Sequence, residues 1–464
     1  MCSIEDDGEL RPVKNDSTQS LQEKKCVKCD QPGVVVTRIH DCFCKSCFQV
    51  YVIHKFRAAI GKSKLIREGE RVLVAFSGGA NSAALLHLIQ DGLSDRAHRK
   101  LRFIPTVLHV DECGVLDVSS DARQELRQKI ARVMLKSGFP AYIVDFEQAI
   151  DIERKNMGTQ NGTDGVSSDS GCLVHDAKDG LSTPAVDASQ TNKLRSLVGS
   201  VASLTSQEDF VRHLRNQLIV CIVRQMGFSK VLTAECSTRL SIKILTDIAQ
   251  GRGSQLSLNT AFCDQRNGDV LFVRPVRDLT SKELVMYNTL FEVDSVFIPS
   301  ITTKTAKDSS IERLTETFVT GLQADFSSTV ANIVRTSEKL EPPDLENSQA
   351  CVFCQSPLDT DVGKASALRA IEYSQRISRA GQNAKSANCH GDDTKCQDKA
   401  AGESNCQAPE LARSLCYGCR VTLQNFNFEK SSLPNLVRQR SAAKNTSHLL
   451  REKISEFLLE DVDS

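Results

Sequence analysis

The sequence predicts an α/β fold: a doubly wound, mostly parallel sheet of about five strands, flanked by N- and C-terminal cysteine modules. Three observations predict it. Short apolar runs alternate with helix-length amphipathic segments between residues 71 and 290. A glycine turn directly follows the first of those runs. The cysteines include four C-x-x-C pairs, two before the alternating region and two after it.

Taken in order, Val72 to Phe76 is an apolar run of the kind that forms a strand buried on both faces. Ser77-Gly78-Gly79 turns the chain, and Ala83 to Gln90 reads as a helix. Phe103 to Val110 is a second strand, ending in Asp111. A helix over 121–136 and a third strand at Ala141 to Val144 follow. Asp209 to Met226 reads as a helix with Phe210, Leu214, Leu218 and Cys221/Ile222 on one face. Lys230 to Ala234 is a strand, Ser237 to Gln250 a helix, Val270 to Val273 a strand and Ser281 to Leu290 a helix. Right-handed crossovers between such strands give a parallel sheet covered on both faces.

The rest of the chain divides around this region. Residues 1–24 are polar and expected to be disordered. Residues 25–68 read as a zinc-ribbon-like module, and 69–295 as the α/β domain. That domain is interrupted at 151–203 by a Gly-, Ser-, Asp-, Asn- and Thr-rich stretch, expected to be a disordered insertion. A helical extension, 296–345, ends near Pro342-Pro343. Residues 346–425 hold the second cysteine module with a polar insertion at 357–413. In the tail, 426–464, residues 445–460 read as a short helix.

Charge sharpens this division. Lys plus Arg and Asp plus Glu each number 58 in 464 residues, so the net charge is zero. That excludes a uniformly basic nucleic-acid binder. The charge is nonetheless segregated. Residues 24–71 carry eleven basic and four acidic residues, a local +7, whereas the first 23 carry six acids and two bases. No apolar run reaches the roughly 18–20 residues of a membrane span. The acidic start, Met1 to Glu9, does not read as a secretory or transit peptide, so a cytoplasmic location is expected.

Four motifs carry chemistry. Ser77-Gly78-Gly79-Ala80-Asn81-Ser82 joins a strand to a helix. Two glycines let backbone N–H groups approach an anion, the helix adds its positive end, and Ser77 and Ser82 add hydroxyls. Such a loop suits a phosphate or pyrophosphate; the competing reading is a plain βα turn with a serine cap. No lysine follows, so it is not a Walker A loop. Cys26/Cys29 and Cys44/Cys47 form C-x2-C-x14-C-x2-C, a spacing that can set four thiolates around one zinc. His40 and Cys42 lie near enough in sequence to replace a ligand. Cys351/Cys354 and Cys416/Cys419 are separated by 61 residues. Closing so long a loop costs only about (3/2)RT ln n, so a shared metal, zinc by its ligands, is expected there too; the competing reading is that the two pairs are unrelated. Gly251-Arg252-Gly253-Ser254 is either a phosphate-binding turn or, more simply, a glycine helix cap with one exposed arginine.

These residues resemble the ATP-pyrophosphatase-loop family, of the adenine-nucleotide alpha-hydrolase-like fold, whose loop reads S-G-G-x-D-S. Within it, the chain is similar to the second subunits of the cytosolic tRNA wobble-uridine 2-thiolation complex. The stretches that carry this are Cys26 to Ser82, Thr205 to Phe210, Thr238 to Lys243, Gly251-Arg252-Gly253, Arg274 to Asp278 and the C-terminal cysteine pairs. The resemblance implies a part in 2-thiolation of uridine 34 in tRNAs of the Lys, Glu and Gln type, within 5-methoxycarbonylmethyl-2-thiouridine synthesis. It implies a catalytic paralogous first subunit as partner, and sulfur from a thiocarboxylated ubiquitin-like modifier. ATP, if bound, would lie on Ser77, Gly78, Gly79, Asn81 and Ser82. Lys55, Arg57, Lys62 and Lys64 are the expected contacts to tRNA phosphates.

Departures from the active pattern point to a structural rather than a catalytic role, with no catalytic residue assigned. Asn81 replaces the loop aspartate. Thr205 to Asp209, matched to a C-x-x-C in cluster-dependent thiolases, lacks cysteine. Glu235 is followed by Cys236-Ser237-Thr238-Arg239 where active members place acids. Two alternatives stand: an ATP-dependent tRNA adenylyltransferase or sulfurtransferase active by itself, and a zinc-dependent RNA-binding scaffold.

Overall fold

The computed structural model describes residues 25–37, 41–95, 100–152, 172–178, 188–341, most of 343–358, residue 374 and most of 411–454. They fall into two compact units, one within 1–343 and 425–436, the other within 344–424 and 437–464.

The first unit is built on a seven-stranded sheet. Its strands are β3 (Arg71–Ala75), β4 (Ile104–Asp111), β5 (Ala141–Asp145), β6 (His175–Asp176), β7 (Lys230–Leu232), β8 (Cys263–Asp264) and β9 (Leu271–Val273), in the order β6-β5-β4-β3-β7-β9-β8. The earlier β1 (Val35–Val36) and β2 (Cys42–Phe43) form a separate antiparallel pair. The five expected strands run parallel to one another. Short antiparallel strands, β6 and β8, close the two edges. Val72, Leu73 and Val74 of the central β3 are fully buried, as an apolar run covered on both faces must be.

Helices α1 (Lys45–Ser63), α2 (Ala80–Leu93), α3 (Ser120–Lys136), α4 (Ala188–Gly199), α5 (Leu204–Gln225), α6 (Ser237–Ala249), α7 (Leu256–Thr260), α8 (Ser281–Leu290), α9 (Ile311–Asp325) and α10 (Thr329–Ser337) complete this unit. Ser119, Ser203, Thr280 and Ser310 cap four of them through side-chain oxygens. The N-terminal cysteine module shares its core with the sheet. Phe48, Val52 and Phe56 of α1 sit in one cluster with Val72, Leu85 and Tyr287. Tyr51 Oη donates to Glu283 Oε1 at 2.8 Å and fixes α1 on α8.

One correction concerns 151–203. Part of that stretch lies outside the described residues, but 188–199 is the helix α4 rather than an insertion without packed elements. Leu194, Leu197 and Val198 are buried at helical spacing. Arg195 Nε donates to Gly114 O at 3.0 Å and Thr191 Oγ1 to Glu147 Oε1 at 2.9 Å. The Gly- and Ser-rich composition around it masks this three-residue apolar period in the sequence.

The second unit holds the C-terminal cysteines, α11 (Tyr417–Thr422) and most of α12 (Asn435–Ile454). The tail helix begins ten residues before the expected 445. Most of the polar stretch 357–413, with Cys389, His390, Cys396 and Cys406, lies outside the described residues. Among the described residues no helix is long and apolar enough to cross a membrane.

Candidate functional site

β3 lies between β4 and β7, where the strand order reverses. Ligands of open α/β sheets bind at the carboxyl ends of strands beside such a switch point. The Ser77–Ser82 loop leaves β3 there and opens α2. Gly78 has φ +85°, and a Cβ on it would stand 2.4 Å from Ile130 Cδ1 and 3.0 Å from Ile298 Cδ1. Only glycine suits that backbone and that space. Val296 N–H donates to Gly78 O at 2.8 Å, so the chain after α8 straps the loop.

The loop's polar groups bond within the protein. Ser77 Oγ donates to Ser82 Oγ at 3.1 Å, and Ser82 Oγ to Gly79 O at 2.9 Å. Asn81 Nδ2 donates to Cys236 Sγ at 3.3 Å, and Cys236 Sγ lies 3.0 Å from Ser281 Oγ. Where an active loop has a carboxylate, this one holds an amide against a fully buried thiol. Cys236, at the N-cap of α6, is a partner that sequence spacing gave no reason to join to Asn81.

The nearby acids are neutralised by this chain's own cations. Asp111, ending β4, accepts from Arg123 Nε at 2.8 Å and Arg127 Nη1 at 2.9 Å. Burial alone would raise its carboxyl; the two guanidinium groups overcome that and hold it below the usual range. Glu147 takes the Arg123 fork at 2.6 and 3.1 Å, and Asp145 pairs with Arg127. Glu112 is held by Arg215. Glu235, just past β7, pairs with Arg274 and, at 3.3 Å, with Lys243. Burial opposes its ionisation, yet Arg274 and Lys243 bring it down to about 2. A carboxylate whose lone pairs are taken by arginine has few left for a metal–nucleotide complex. A sequence signal for part of this was present. Arg123 and Arg127 fall on the face of α3 that also carries Ile130 and Met134.

The Gly251 turn is a helix cap. Gly251 has φ +71°, Gly251 N–H donates to Ile248 O at 3.0 Å and Arg252 N–H to Asp247 O at 2.7 Å. The expectation of an exposed arginine is corrected: Arg252 is 1% exposed and pairs with Asp209, itself 1% exposed. Asp209 also accepts from Arg212 at 2.6 Å. Within Thr205 to Asp209, at the opening of α5, Asp209 thus anchors a charged core.

The cysteine pairs come together in two centres. The sulfurs of Cys26, Cys29, Cys44 and Cys47 lie within 4.8 Å of one another, and so do those of Cys351, Cys354, Cys416 and Cys419. The two centres share a design. In C-x-x-C-x-x-P, a bridge Lys25↔Pro32 brackets the first knuckle and Ala350↔Pro357 the other. Cys26 N–H donates to Gln31 O at 2.9 Å, and Cys351 N–H to Ser356 O at 2.7 Å. The second pair of each centre opens a helix, with Cys44 and Cys416 as N-caps of α1 and α11. Cys42 is buried in β2 outside the first group, and His40 lies outside the described residues.

The donor set and spacing fit one tetrahedral ion per centre. Bonds of about 2.3 Å at tetrahedral angles place sulfurs about 3.8 Å apart. Observed separations are 3.6 Å for Cys29–Cys44, 3.7 Å for Cys29–Cys47 and 3.6 Å for Cys354–Cys416. A four-iron cube needs its thiolates spread over separate irons, and these are too close for that. Without a cation the sulfurs cannot all ionise together. Contacts with the Ser46 hydroxyl and Cys47 N–H lower Cys44 to about 6, while its bond to Cys44 raises Cys47 to about 12. Burial pushes Cys351 and Cys419 well up. A divalent ion would offset exactly that mutual repulsion by holding all four as thiolates.

The basic edge is only partly free. Lys62 and Lys64 are exposed at the end of α1. Lys55 Nζ donates to Asp278 O at 2.9 Å and lies over the Tyr51 ring. Arg57 lies 3.7 Å from Asp91. Both half-buried side chains are committed to the body of the protein.

Comparison with known proteins fits this arrangement. The family model described as cytoplasmic tRNA 2-thiolation protein 2 matches residues 310–421. A protein of that description from Xenopus tropicalis is 37% identical over 97% of both chains. One from Homo sapiens is 33% identical over 100% of this chain and 99% of its own. Among solved structures, the U34-tRNA thiolase NcsA from Methanococcus maripaludis, with its 4Fe–4S cluster, superposes with a TM-score of 0.50. It covers 71% of this chain and 95% of its own at 13% identity, a likeness of fold. With relatives this similar over nearly its whole length, the chain belongs to the cytoplasmic tRNA 2-thiolation protein 2 family.

Proposed function

We propose that this chain is the largely non-catalytic subunit of a cytoplasmic heterodimer that 2-thiolates uridine 34 of tRNAs of the Lys, Glu and Gln type. An active paralogue would adenylate the uracil oxygen, and sulfur would come from a thiocarboxylated ubiquitin-like modifier. This chain would contribute tRNA-binding surface and two zinc-stapled modules. The observation that carries the reading is the state of the nucleotide loop. Asn81 is bonded to a thiol, and Asp111, Glu112 and Glu235 each face a cation of this chain. Chemistry that needs free carboxylates for a metal–nucleotide complex finds none at these positions.

Two measurements test it. The purified chain alone is expected to release no pyrophosphate above background from ATP and tRNA, whereas the complex with its paralogue should do so. Robust release by the single chain would establish the active-enzyme reading instead. Second, Lys62→Glu with Lys64→Glu should weaken tRNA binding by the complex at least tenfold near physiological salt, and flatten its salt dependence by about two phosphate contacts. Unchanged affinity would remove the basic edge from the tRNA-binding surface.

A further inference from the structure

We infer that Phe297, with the outer face of α3, forms a stacking site for an unpaired nucleotide of RNA. The inference rests on the tRNA-binding reading above and gives it a location away from the basic edge of α1. Phe297 is 75% exposed, the most exposed of the large apolar side chains described. The backbone leading up to it is held by two hydrogen bonds, and the Ile298 side chain after it is seated on the Ser77–Ser82 loop. Val293 N–H donates to Asn288 O at 2.9 Å and Val296 N–H to Gly78 O at 2.8 Å. Ile298 covers Gly78. The intervening Phe297 therefore turns outward from a strap fixed to the nucleotide loop. It lines a groove with Leu126, Lys129, Arg132, Val133 and Val296.

The chemistry of the groove selects its occupant. Lys129, Arg132 and Lys136 recur at helical spacing on α3, and all three are exposed. Lys129 and Lys136 are paired with Glu125 and Asp294 at 2.6 Å in exposed, weak ion pairs. Among the described residues Arg132 makes no close ion pair, although Glu125 lies near enough to feel its charge. Phe and Arg occur in protein interfaces too, but lysine is depleted there, and this groove holds Lys129 along with the ring. An aromatic ring beside several cations matches instead the pairing of base stacking and phosphate attraction used to hold single-stranded nucleic acid. A flat base on Phe297 would leave its flanking phosphates facing Arg132 and Lys129. The strap sets that base beside the Ser77–Ser82 loop, at the carboxyl end of the sheet.

The test uses the full chain and two labelled probes, a uridine-rich single-stranded RNA and an RNA duplex of the same length. Phe297→Ala should bind the single strand about tenfold more weakly and leave the duplex unchanged, because only unpaired bases stack. Phe297→Tyr should restore binding. Arg132→Glu should weaken the single strand and lower its salt slope by about one. The ring is exposed, so melting temperature should not move; if it does, the Tyr variant carries the test. Single-strand affinity unchanged in Phe297→Ala overturns the site. If Lys62→Glu with Lys64→Glu still loses tRNA, the functional reading survives that result; if neither variant affects tRNA, both fall. Loss of the paralogue instead of RNA would make this a protein interface and would also overturn the inference.

Discussion

Replacing Cys351 and Cys354 together with serine should halve the metal bound per chain, from two ions to one, and unfold the C-terminal unit. The four sulfurs of that centre are all but fully buried, and among the described residues of that unit the other buried apolar side chains are Val352, Phe353, Leu411, Leu415, Leu423 and Val437. Without an ion the site must bury four thiols in place of a tetrahedral centre. A structural zinc supplies about 10–16 kcal/mol in small metal-folded modules, more than a core of this size can replace. Metal content by mass spectrometry and protease sensitivity of the C-terminal unit check it. Cys113→Ser serves as control, since Cys113 is buried beside Asp111 and belongs to neither centre. Two ions still bound to the double variant would refute a four-sulfur site. In the N-terminal centre, Cys26→Ser with Cys29→Ser should also cost an ion, but its apolar neighbours in the sheet core remain as partial support.

The second large effect concerns the buried ion pairs. Arg252→Met should destabilise the first unit by about 3 kcal/mol, because it leaves the Asp209 charge buried with less compensation. Burial alone would raise the Asp209 carboxyl; Arg252, His213 and Arg212 together hold it well below its usual range. A carboxyl depressed in the folded state contributes stability above its unfolded pKa of about 3.9 and loses it as pH falls below that. The parent protein should therefore lose stability steeply below about pH 4, and Arg252→Met less steeply. Urea unfolding at a series of pH values measures both. Adding Asp209→Asn to Arg252→Met should recover part of the loss, since the buried carboxylate is then gone and Arg212 keeps Asp247 and Glu312 as partners. A single variant as stable as the parent would show that Asp209 needs only Arg212.

Much of the fold was legible because its signals are local. A run such as Val72–Phe76 announces a strand buried on both faces, and glycines before a helix announce a turn at its end. All five parallel strands, the helices between them and the family resemblance are borne out. The two edge strands were not legible: at two residues each, His175–Asp176 and Cys263–Asp264 carry no period to read. Helix α4 was hidden by the composition around it. The tail helix was placed too late because Leu449, Leu450 and Ile454 are the apolar residues that stand out, while α12 starts at Asn435.

The sequence by itself determined the doubly wound sheet, the position of the Ser77–Ser82 loop and the identity of eight cysteines in C-x-x-C pairs. These follow from spacing along the chain, which covalent geometry converts directly into local structure. Only the tertiary structure decided who meets whom. It brought Cys351/Cys354 to Cys416/Cys419 across 61 residues, set Asn81 against Cys236 and buried Arg252 on Asp209. It also turned Lys55 and Arg57 into the body while leaving Lys62 and Lys64 exposed. The physical reason is that an ion pair or a metal centre depends on distance in space and on desolvation, and neither is written in the number of residues between partners.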